Sequence, residues 1–260
     1  PARHGILGPL IRSIFIPEKD CEWGIFDYSQ QEPRLVVHYA NKNGFPGAGK
    51  FLDSYQKDNN TDFHTMVSEI ADIPRKQAKT INLGLFYGMG KGKLMSELGV
   101  NIEEATELLQ SYHERVPFVK KLTYDTQGIA SKNGFLTTIQ GRRCRFDLWE
   151  SELEWGKKAL PEEEAEREYG KKTMKRAWTY KALNKLIQGS AADQIKTAMI
   201  HLHREGYISH IQVHDELDFS VASDADKAKI KEIMETCLPK LEVPSKVDVE
   251  CGDNWGDAGD

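Results

Sequence analysis

Cysteine and long hydrophobic runs are both scarce in this sequence. Its 260 residues contain four cysteines, Cys21, Cys144, Cys237 and Cys251, and no C-x-x-C pair. Such wide spacing argues against a disulfide framework or a cysteine-based zinc site, and it indicates reduced thiols in a cytosolic setting. No apolar run approaches the roughly 20 residues that cross a bilayer, and no signal peptide opens the sequence. We therefore expect a cytoplasmic protein with no membrane partner.

An excess of positive charge is also absent, because the formal net charge is −5. Any contact with nucleic acid must then use a local groove rather than the whole surface. The hydrophobic fraction of 39% and the charged fraction of 29% are ordinary for a globular protein. A chain of this length can bury one large core or two modest ones, and it contains no repeat and no linker that would separate independent domains.

The most informative stretch that is present is Pro74–Gly88, which reads P-R-K-Q-A-K-T-I-N-L-G-L-F-Y-G. Pro74 suits a first helical position, since its missing N–H is not needed there. Three- and four-residue steps on a helix would align Arg75, Lys79, Asn82, Leu83 and Phe86 in one stripe, with Tyr87 at its edge. Five Lys or Arg residues and no acid lie between Ile73 and Leu94. This pattern favours a polyanion-binding face, and the alternative is a core helix with a basic edge.

Two short segments lead to carboxylates. Glu22–Asp27 is apolar and aromatic, which predicts a buried strand whose last residue, Asp27, reaches solvent. Ile208–Val221 alternates apolar residues at odd positions, and Asp215 interrupts the alternation. An acid at such a position is costly unless it is paired or bound to a metal. We therefore expect a tight hairpin with its turn at His214–Glu216.

The remaining sequence predicts a mainly helical chain with a little sheet. Ser29 and Glu32 have the spacing of a helix-capping box. Asn41–Asn60, rich in Gly, Asn and Lys, indicates a loop with a short helical piece. The other expected elements are helices at Asp62–Ile70, Asn101–Arg115, Phe118–Ala130 and Leu183–Leu202, a hairpin at Gly134–Phe146, and a last helix capped by Ser223 and Asp226.

Charge is segregated in the region near 147–176. Asp147–Glu168 contains nine acids against three Lys or Arg, and Lys171–Lys185 then carries six cations and no acid. Such a pair of blocks is most often a solvated helical excursion that neutralises itself. We expect that structure here.

A strand that ends in an aspartate, a basic helix and a hairpin tipped by an aspartate together suggest phosphoryl transfer. This chemistry needs two hard cations a few ångströms apart, held by carboxylates from different elements. A triphosphate also needs cationic side chains that neutralise it without competing for those metals. The pair Arg75 and Lys79 could supply them.

The same segments carry a family resemblance. Asp27–Arg34 (D-Y-S-Q-Q-E-P-R), Arg75–Gly88 (R-x-x-x-K-x-x-x-L-x-x-x-Y-G) and Val213–Glu216 (V-H-D-E) resemble motifs A, B and C of family A DNA polymerases. Gln188–Asp193 and Gly141–Arg143 match two further pieces of that pattern. The resemblance extends from about Gly8 to Trp255, and the variant E-P-R and the acidic insertion suggest a bacteriophage-type member.

For the metals and catalysis, the resemblance implies two Mg²⁺ ions, with Mn²⁺ as a substitute. Asp27 and Asp215 would hold both ions, and the backbone carbonyl of Tyr28 would complete the ligand shell of the second ion. Glu216 would support the site, and Lys79 would join the catalytic set. The implied reaction adds deoxynucleoside monophosphates from dNTPs to a primer 3′-hydroxyl on a DNA template.

For the nucleotide, the resemblance implies that Arg75, Lys79 and His64 bind the triphosphate and that Tyr87 lies near the templating base. Leu83 and Gln30 belong to the same implied nucleotide site. Glu32 would be a steric gate against the ribose 2′-hydroxyl, and the alternative is a capping partner of Ser29. The implied contacts with primer–template DNA are made by Gln188, Arg142, His214 and Asn82.

The implied architecture is an α/β (α+β) right-hand fold, with a palm of small antiparallel sheet and mostly helical fingers. Residues 1–40 and 183–260 would form the palm, and residues 41–182 the fingers. The thumb and exonuclease are expected to be absent, so a second polypeptide could supply them. The family usually has Phe or Tyr where this chain has Leu83. The implied location is the cytoplasm of a bacterial or phage-infected cell.

Two other functions remain open at this point. One is a polymerase-like subunit that binds primer–template or a partner and is inactive without a separate thumb-bearing chain. The other is a single-subunit RNA polymerase or reverse transcriptase. Glu32 argues against an RNA polymerase, because ribonucleotide selection requires space where this side chain would stand.

Overall fold

A computed structural model describes residues 7–89, 91–154 and 156–258. The chain divides into two compact units. The sheet unit contains the chain up to Leu35, Ser54–Asn60 and the residues from Ala191 onward. The helical unit contains Val36–Asp53 and Thr61–Ser190. Within the described ranges, no helix is both long and apolar enough to cross a membrane.

Helices dominate the described chain. The α-helices are α1 Leu7–Arg12, α2 Gln31–Lys42, α3 Ala48–Lys57, α4 Phe63–Ala71, α5 Arg75–Phe86, α6 Lys91–Leu98, α7 Ile102–Arg115, α8 Pro117–Asn133, α9 Glu162–Tyr169, α10 Ala182–Arg204 and α11 Asp224–Thr236. The strands are β1 Glu22–Tyr28, β2 Phe135–Thr137, β3 Arg143–Arg145, β4 Leu148–Ser151, β5 Leu160–Pro161, β6 Met174–Arg176, β7 Ile211–Val213, β8 Glu216–Val221 and β9 Val247–Gly252. This mixture confirms the predicted α+β class.

The sheet unit is built on an antiparallel sheet with strand order β7-β8-β1-β9. The predicted strand at Glu22–Asp27 is confirmed and continues to Tyr28. On one face, the Tyr28 hydroxyl donates to the Met234 carbonyl of α11 at 2.6 Å. On the other face, Trp23 and Ile25 pack with Trp255 near the C-terminus. Because both faces are covered, β1 is apolar at consecutive positions.

A buried arginine attaches Ser54–Asn60 to the sheet unit. The Arg34 guanidinium, only 2% exposed, donates to the Ser29 carbonyl at 2.9 Å and to the side chain and carbonyl of Asn59 at 2.6 and 2.8 Å. It also donates to the Pro244 carbonyl and stacks over the Tyr55 ring at 4.5 Å. Burial lowers the pKa of Arg34, but its four oxygen acceptors compensate for the lost hydration.

The core of the helical unit is an aromatic cluster. Phe51 of α3 packs against Phe63 of α4 and Phe118 of α8, with ring centroids 5.2 and 5.1 Å apart. Phe63 also lies 5.9 Å from Phe86 of α5. These rings fix α5 against α4, which explains why the basic helix has a defined buried side.

Most of the predicted helices are confirmed with small shifts at their ends. Asp62 is the N-cap of α4, and Asn101 forms a capping box with Glu104 at the start of α7. Ser223 caps α11 as predicted, by accepting from the Asp226 N–H. The predicted hairpin at 134–146 is the β2–β3 pair. The four cysteines are free, as expected.

Two predictions of helix ends were wrong. The Arg34 N–H donates to the Gln30 carbonyl, so Gln30 rather than Ser29 caps α2, and the Ser29–Glu32 capping box does not form. Pro74 is the N-cap of α5 rather than its first helical residue, because its ψ of 139° is extended.

One expectation about segment type is confirmed and another was wrong. The short helical piece expected within Asn41–Asn60 is helix α3, since Phe51 and Tyr55 share a buried face. The acidic and basic region is not a helical excursion, because β5-β4-β6 form a sheet that carries the short helix α9. Trp149 pairs with Arg176 across this sheet, and the guanidinium stacks on the indole at 4.5 Å.

We predict that Arg34→Lys destabilises the sheet unit by about 3 kcal/mol, because an ammonium cannot reach acceptors in four directions and leaves buried carbonyls unpaired. Urea unfolding measures the loss, and limited proteolysis should show faster cleavage within 54–60. The matched control is Arg204→Lys, at an exposed position at the end of α10, which should change stability by less than about 0.5 kcal/mol. Equal stability of the two variants would contradict this role of Arg34.

Candidate active site

Strand pairing in the sheet unit brings the predicted carboxylates together. Asp27, near the end of β1, lies directly opposite Glu216, the first residue of β8. The two-residue connection between β7 and β8 contains Asp215, whose carbonyl accepts from the Tyr28 N–H at 3.3 Å. His214 makes this short reversal possible with a φ of 54°. The turn predicted at 214–216 is thus confirmed, and Asp215 lies in it rather than on an inward strand position.

The carboxylates lie in an acidic environment. Burial raises the pKa of Asp215, and the charge of Glu216 acts in the same direction, whereas a backbone hydrogen bond and His214 lower it. The Trp255 indole N–H donates to Glu216 at 3.4 Å. Asp248 of β9 is the partner of Asp27 on the other side of β1, and Lys246 offsets its charge at 2.6 Å. A divalent cation would relieve this concentration of negative charge.

The donor chemistry of this cluster fits Mg²⁺. In the part of the chain that the structure describes, no three His, Cys, Asp or Glu side chains are arranged to hold a metal by themselves. Mg²⁺ does not need such a cage, since it commonly uses one or two carboxylates and completes its octahedron with waters and substrate phosphates. Asp27 and Asp215 provide hard oxygen ligands of that kind.

The helical unit presents the predicted cations on the exposed side of α5. Arg75, Lys79 and Tyr87 are exposed, and Leu83 is half-buried between them. Asn82 and Phe86 follow the steps of the predicted stripe, but both are buried, so the stripe is not exposed along its whole length. The accessible residues Arg75, Lys79, Leu83 and Tyr87 are spaced four apart, without the intervening three-residue steps.

Arg75 is already engaged by a carboxylate. Its Nε and Nη2 donate to the two oxygens of Asp62 at 3.1 and 2.8 Å, and Nε also lies 3.1 Å from Thr65 Oγ1. Asp62 at the same time caps α4 by accepting from the Thr65 N–H at 2.6 Å. Burial would raise the pKa of Asp62, but the hydrogen bonds from Arg75 and Thr65 lower it to about 2. The fixed pair leaves the Arg75 side chain 54% exposed.

Asn82 was expected to contact DNA, and the structure corrects this expectation. Its side chain is 0% exposed and lies in a buried polar group. The Tyr112 hydroxyl donates to Asn82 Oδ1 at 2.6 Å, and Asn82 Nδ2 lies 2.9 Å from His64 Nδ1. Asn82 therefore holds His64 by a buried hydrogen bond, and it has no exposed surface that a base or a phosphate could contact.

The other predicted site residues are exposed or half-buried. Within the helical unit, Gln188 Nε2 donates to the Tyr87 hydroxyl at 3.2 Å, and Arg142 Nη2 donates to the Gly189 carbonyl at 2.7 Å. Within the sheet unit, Glu32 is half-buried on the first turn of α2. Gln30 has a φ of 53° and accepts from the Tyr55 hydroxyl at 3.4 Å.

Comparison with known proteins tests the family resemblance. The model of DNA polymerase family A matches residues 3–257. The chain belongs to DNA polymerase family A. It is 38% identical to a DNA-directed DNA polymerase of Pseudomonas phage M6 over 94% of this chain and 40% of the phage protein. It is 34% identical to DNA polymerase I of Bacillus subtilis over 96% of this chain and 28% of that protein.

A solved family A structure supports the fold as well. The POL domain of Pol1 from M. smegmatis, in complex with DNA primer-template and dNTP, matches all of this chain with a TM-score of 0.77 and 29% identity. The match covers 44% of that protein. This family A chain therefore spans less than half the length of each of these relatives. Members of the family use divalent metals, in agreement with the oxygen ligands described above.

Sequence reasoning missed two residues of the site, Asp62 and Tyr112. An aspartate immediately before a helix signals an N-cap, but nothing local shows that it also binds an arginine 13 positions later. Tyr112 has the spacing of an ordinary core residue on α7, and its partner Asn82 is 30 positions away in the sequence. Only the packing of α7 against α4, and of α4 against α5, brings the two together.

The Asp62–Arg75 pair should make stability depend on pH. Because the pKa of folded Asp62 lies below its unfolded value of 3.8, the stabilisation is present above about pH 4 and is lost as the pH falls towards 2. Asp62→Asn retains a good N-cap and should cost only about 0.5 to 1 kcal/mol at pH 7, since solvent screens a pair this exposed.

Chemical unfolding of parent and variant between pH 2 and 7 measures this difference. It should shrink towards zero at the acidic end. Asp125→Asn is the control, because Asp125 is exposed on α8 of the same unit. A difference between parent and Asp62→Asn that stays constant over the whole pH range would contradict the assignment.

Proposed function

We propose that this chain carries the nucleotide-addition centre of a template-directed DNA polymerase. The reaction joins the primer 3′-hydroxyl to the α-phosphate of a dNTP, breaks the bond to the β-phosphate and releases pyrophosphate. The observation that carries the proposal is the pairing of β1 with β8, in which Asp27 lies opposite Glu216 and the Tyr28 amide bonds to the Asp215 carbonyl, in a chain that matches family A almost throughout.

Asp27 and Asp215 are assigned as the ligands of two Mg²⁺ ions, with the Tyr28 backbone carbonyl as a further ligand. Bound Mg²⁺ would activate the primer hydroxyl and stabilise the charge that develops on the phosphates, and Mn²⁺ would substitute. Glu216, which accepts a hydrogen bond from Trp255, supports the position of this cluster. The acidic environment supports cation binding because repulsion between carboxylates decreases when the ions enter.

Arg75, Lys79 and His64 are assigned to the triphosphate. The cationic charges on the exposed side of α5 support this role, since α5 itself contains no acid and Asp62 is already paired with Arg75. Lys79 adds charge stabilisation in the transition state. Tyr87 is assigned to the templating base, and Leu83, one turn beyond Lys79, to the sugar.

Glu32 and Gln30 of the sheet unit are also assigned to the nucleotide. The carboxylate of Glu32, half-buried at the start of α2, is assigned as the steric gate that excludes a ribose 2′-hydroxyl. This role favours dNTPs as the substrate class and DNA as the product.

Gln188, Arg142 and His214 are assigned to the primer–template. The Arg142 guanidinium donates a hydrogen bond to the carbonyl of Gly189, the residue after Gln188. Arg142 and Gln188 therefore form one polar surface of the helical unit. Such donors position nucleic acid by phosphate and minor-groove contacts. We assign the sheet unit as the palm and the helical unit as the fingers, with a second polypeptide as a source of the thumb or exonuclease and the cytoplasm as the location.

The metal assignment predicts that Asp27→Asn and Asp215→Asn each lower the rate of primer extension by about 10³ or more, because each removes several kcal/mol of charge stabilisation. Primer extension with Mg²⁺ and dNTPs measures the effect. The control is Asp253→Asn, an exposed acid of the same unit, which should extend at the parent rate. Extension by either site variant within tenfold of the parent would contradict the assignment.

The assignment of Leu83 to the sugar predicts how strongly the enzyme discriminates against dideoxynucleotides. A dideoxynucleotide has no 3′-hydroxyl, and Leu has no hydroxyl that could take its place in the site, so the parent should reject dideoxynucleotides. Leu83→Tyr should raise their use about tenfold, a change of roughly 1.4 kcal/mol in relative transition-state binding. Leu83→Phe is the matched control, since it adds the ring without the hydroxyl. Equal chain termination by all three proteins at a fixed dideoxy-to-deoxy ratio would show that Leu83 does not face the sugar.

A further inference from the structure

A chain of buried hydrogen bonds connects α7 to the proposed triphosphate face of α4 and α5. It begins at the Tyr112 hydroxyl, passes through the Asn82 amide and ends at the His64 imidazole. Tyr112 and Asn82 are 0% exposed and His64 is 6% exposed. Three polar groups this deep in one unit must satisfy one another, so the direction of each hydrogen bond can be worked out.

The hydroxyl proton of Tyr112 determines the donor-to-acceptor direction of the hydrogen bonds in this chain. Burial raises the pKa of this phenol, so it keeps its proton and remains a donor. Its oxygen lies 2.6 Å from Asn82 Oδ1, which must therefore accept. The other end of the amide, Nδ2, can only donate, and it lies 2.9 Å from His64 Nδ1. His64 Nδ1 is thus an acceptor and carries no hydrogen.

An imidazole that accepts at Nδ1 carries its proton on Nε2. Protonation of Nδ1 would direct its hydrogen against the Asn82 amide hydrogens, so the network opposes a charged ring. Burial lowers the pKa of His64, and the nearby charges of Lys79 and Arg75 lower it further, while Asp62 acts in the opposite direction. The ring is held neutral, with Nε2–H as its remaining donor.

We propose that Tyr112 is a positioning residue for nucleotide binding, which acts through Asn82 to hold His64 as a neutral Nε2–H donor for the triphosphate. This inference rests on the proposed function, in which His64 binds the triphosphate. A neutral donor can hydrogen-bond to a phosphate oxygen without adding a third positive charge next to Arg75 and Lys79. Tyr112 itself touches no ligand and is not a catalytic residue.

The first test concerns the tautomer and needs no activity. Two-bond ¹⁵N–¹H correlations of the full chain with labelled histidine distinguish Nε2–H from Nδ1–H, and the spectrum of His64→Gln identifies the His64 signals among those of the eight histidines. The parent should show His64 as a single Nε2–H tautomer at pH 7. Tyr112→Phe frees the Asn82 amide to rotate, so a mixture of tautomers or a charged ring should appear.

The matched control is Tyr39→Phe. Tyr39 is also buried in the helical unit, and its hydroxyl lies 2.7 Å from Ser190 Oγ. The Tyr39→Phe substitution removes a comparable buried hydroxyl and should leave the His64 signals unchanged. A His64 that carries its proton on Nδ1 in the parent, or that keeps the same tautomer in Tyr112→Phe, would overturn the proposal.

The second test separates this inference from the proposed function. The Kd of Mg²⁺·dATP is measured on the full chain with primer–template, and Tyr112→Phe should raise it about fivefold, the effect of removing one hydrogen bond. In a His64→Ala background, Tyr112→Phe should change it no further. If Tyr112→Phe raises the Kd equally in the parent and in His64→Ala, the positioning role of Tyr112 is refuted and the triphosphate role of His64 is not. An unchanged Kd in His64→Ala would refute the triphosphate role of His64, and the proposal with it.

Discussion

The antiparallel pairing of β1 with β8 is the constraint on which the candidate site depends. Backbone hydrogen bonds fix Asp27 opposite Glu216, and a connection of two residues places Asp215 next to the Tyr28 amide. A slip of one residue would direct Asp27 to the opposite face of the sheet. The packing of Tyr28 on α11 and of Trp23 against Trp255 prevents such a slip. The positions of the carboxylates are therefore a consequence of how the core is packed.

The helical unit depends on a comparable constraint. The aromatic contacts between Phe63 and Phe86 hold α5 against α4, so Asn82 is directed inward and Arg75 and Lys79 outward. The polar groups on either side of this packing are paired inside the unit, Arg75 with Asp62 and His64 with Asn82. Side chains held in this way lose little entropy when a ligand arrives, which is the advantage of a preorganised site.

Local patterns in the sequence are sufficient to predict some elements and not others. The strand ending near Asp27, the turn at Asp215 and the helix after Pro74 follow from polarity, turn chemistry and proline geometry within a few residues. The inward direction of Asn82 does not, because the same helical spacing fits two stripes and only α4 and α7 decide which is buried. The prediction of a helical excursion near 147–176 missed the sheet that carries α9, because the charges of this region mask its few apolar residues, such as Trp149, that pair across that sheet.

The most direct test of the account is to locate the divalent-metal site in the chain itself. Fe²⁺ replaces Mg²⁺ in oxygen-ligand sites, and with ascorbate and peroxide it cleaves the backbone close to the bound ion. In the presence of a dNTP, the account predicts cuts next to Asp27 and next to Asp215, both suppressed by excess Mg²⁺ and both abolished in Asp27→Asn. Cleavage confined to other segments, or cuts at these two positions that neither Mg²⁺ nor the substitution affects, would contradict it.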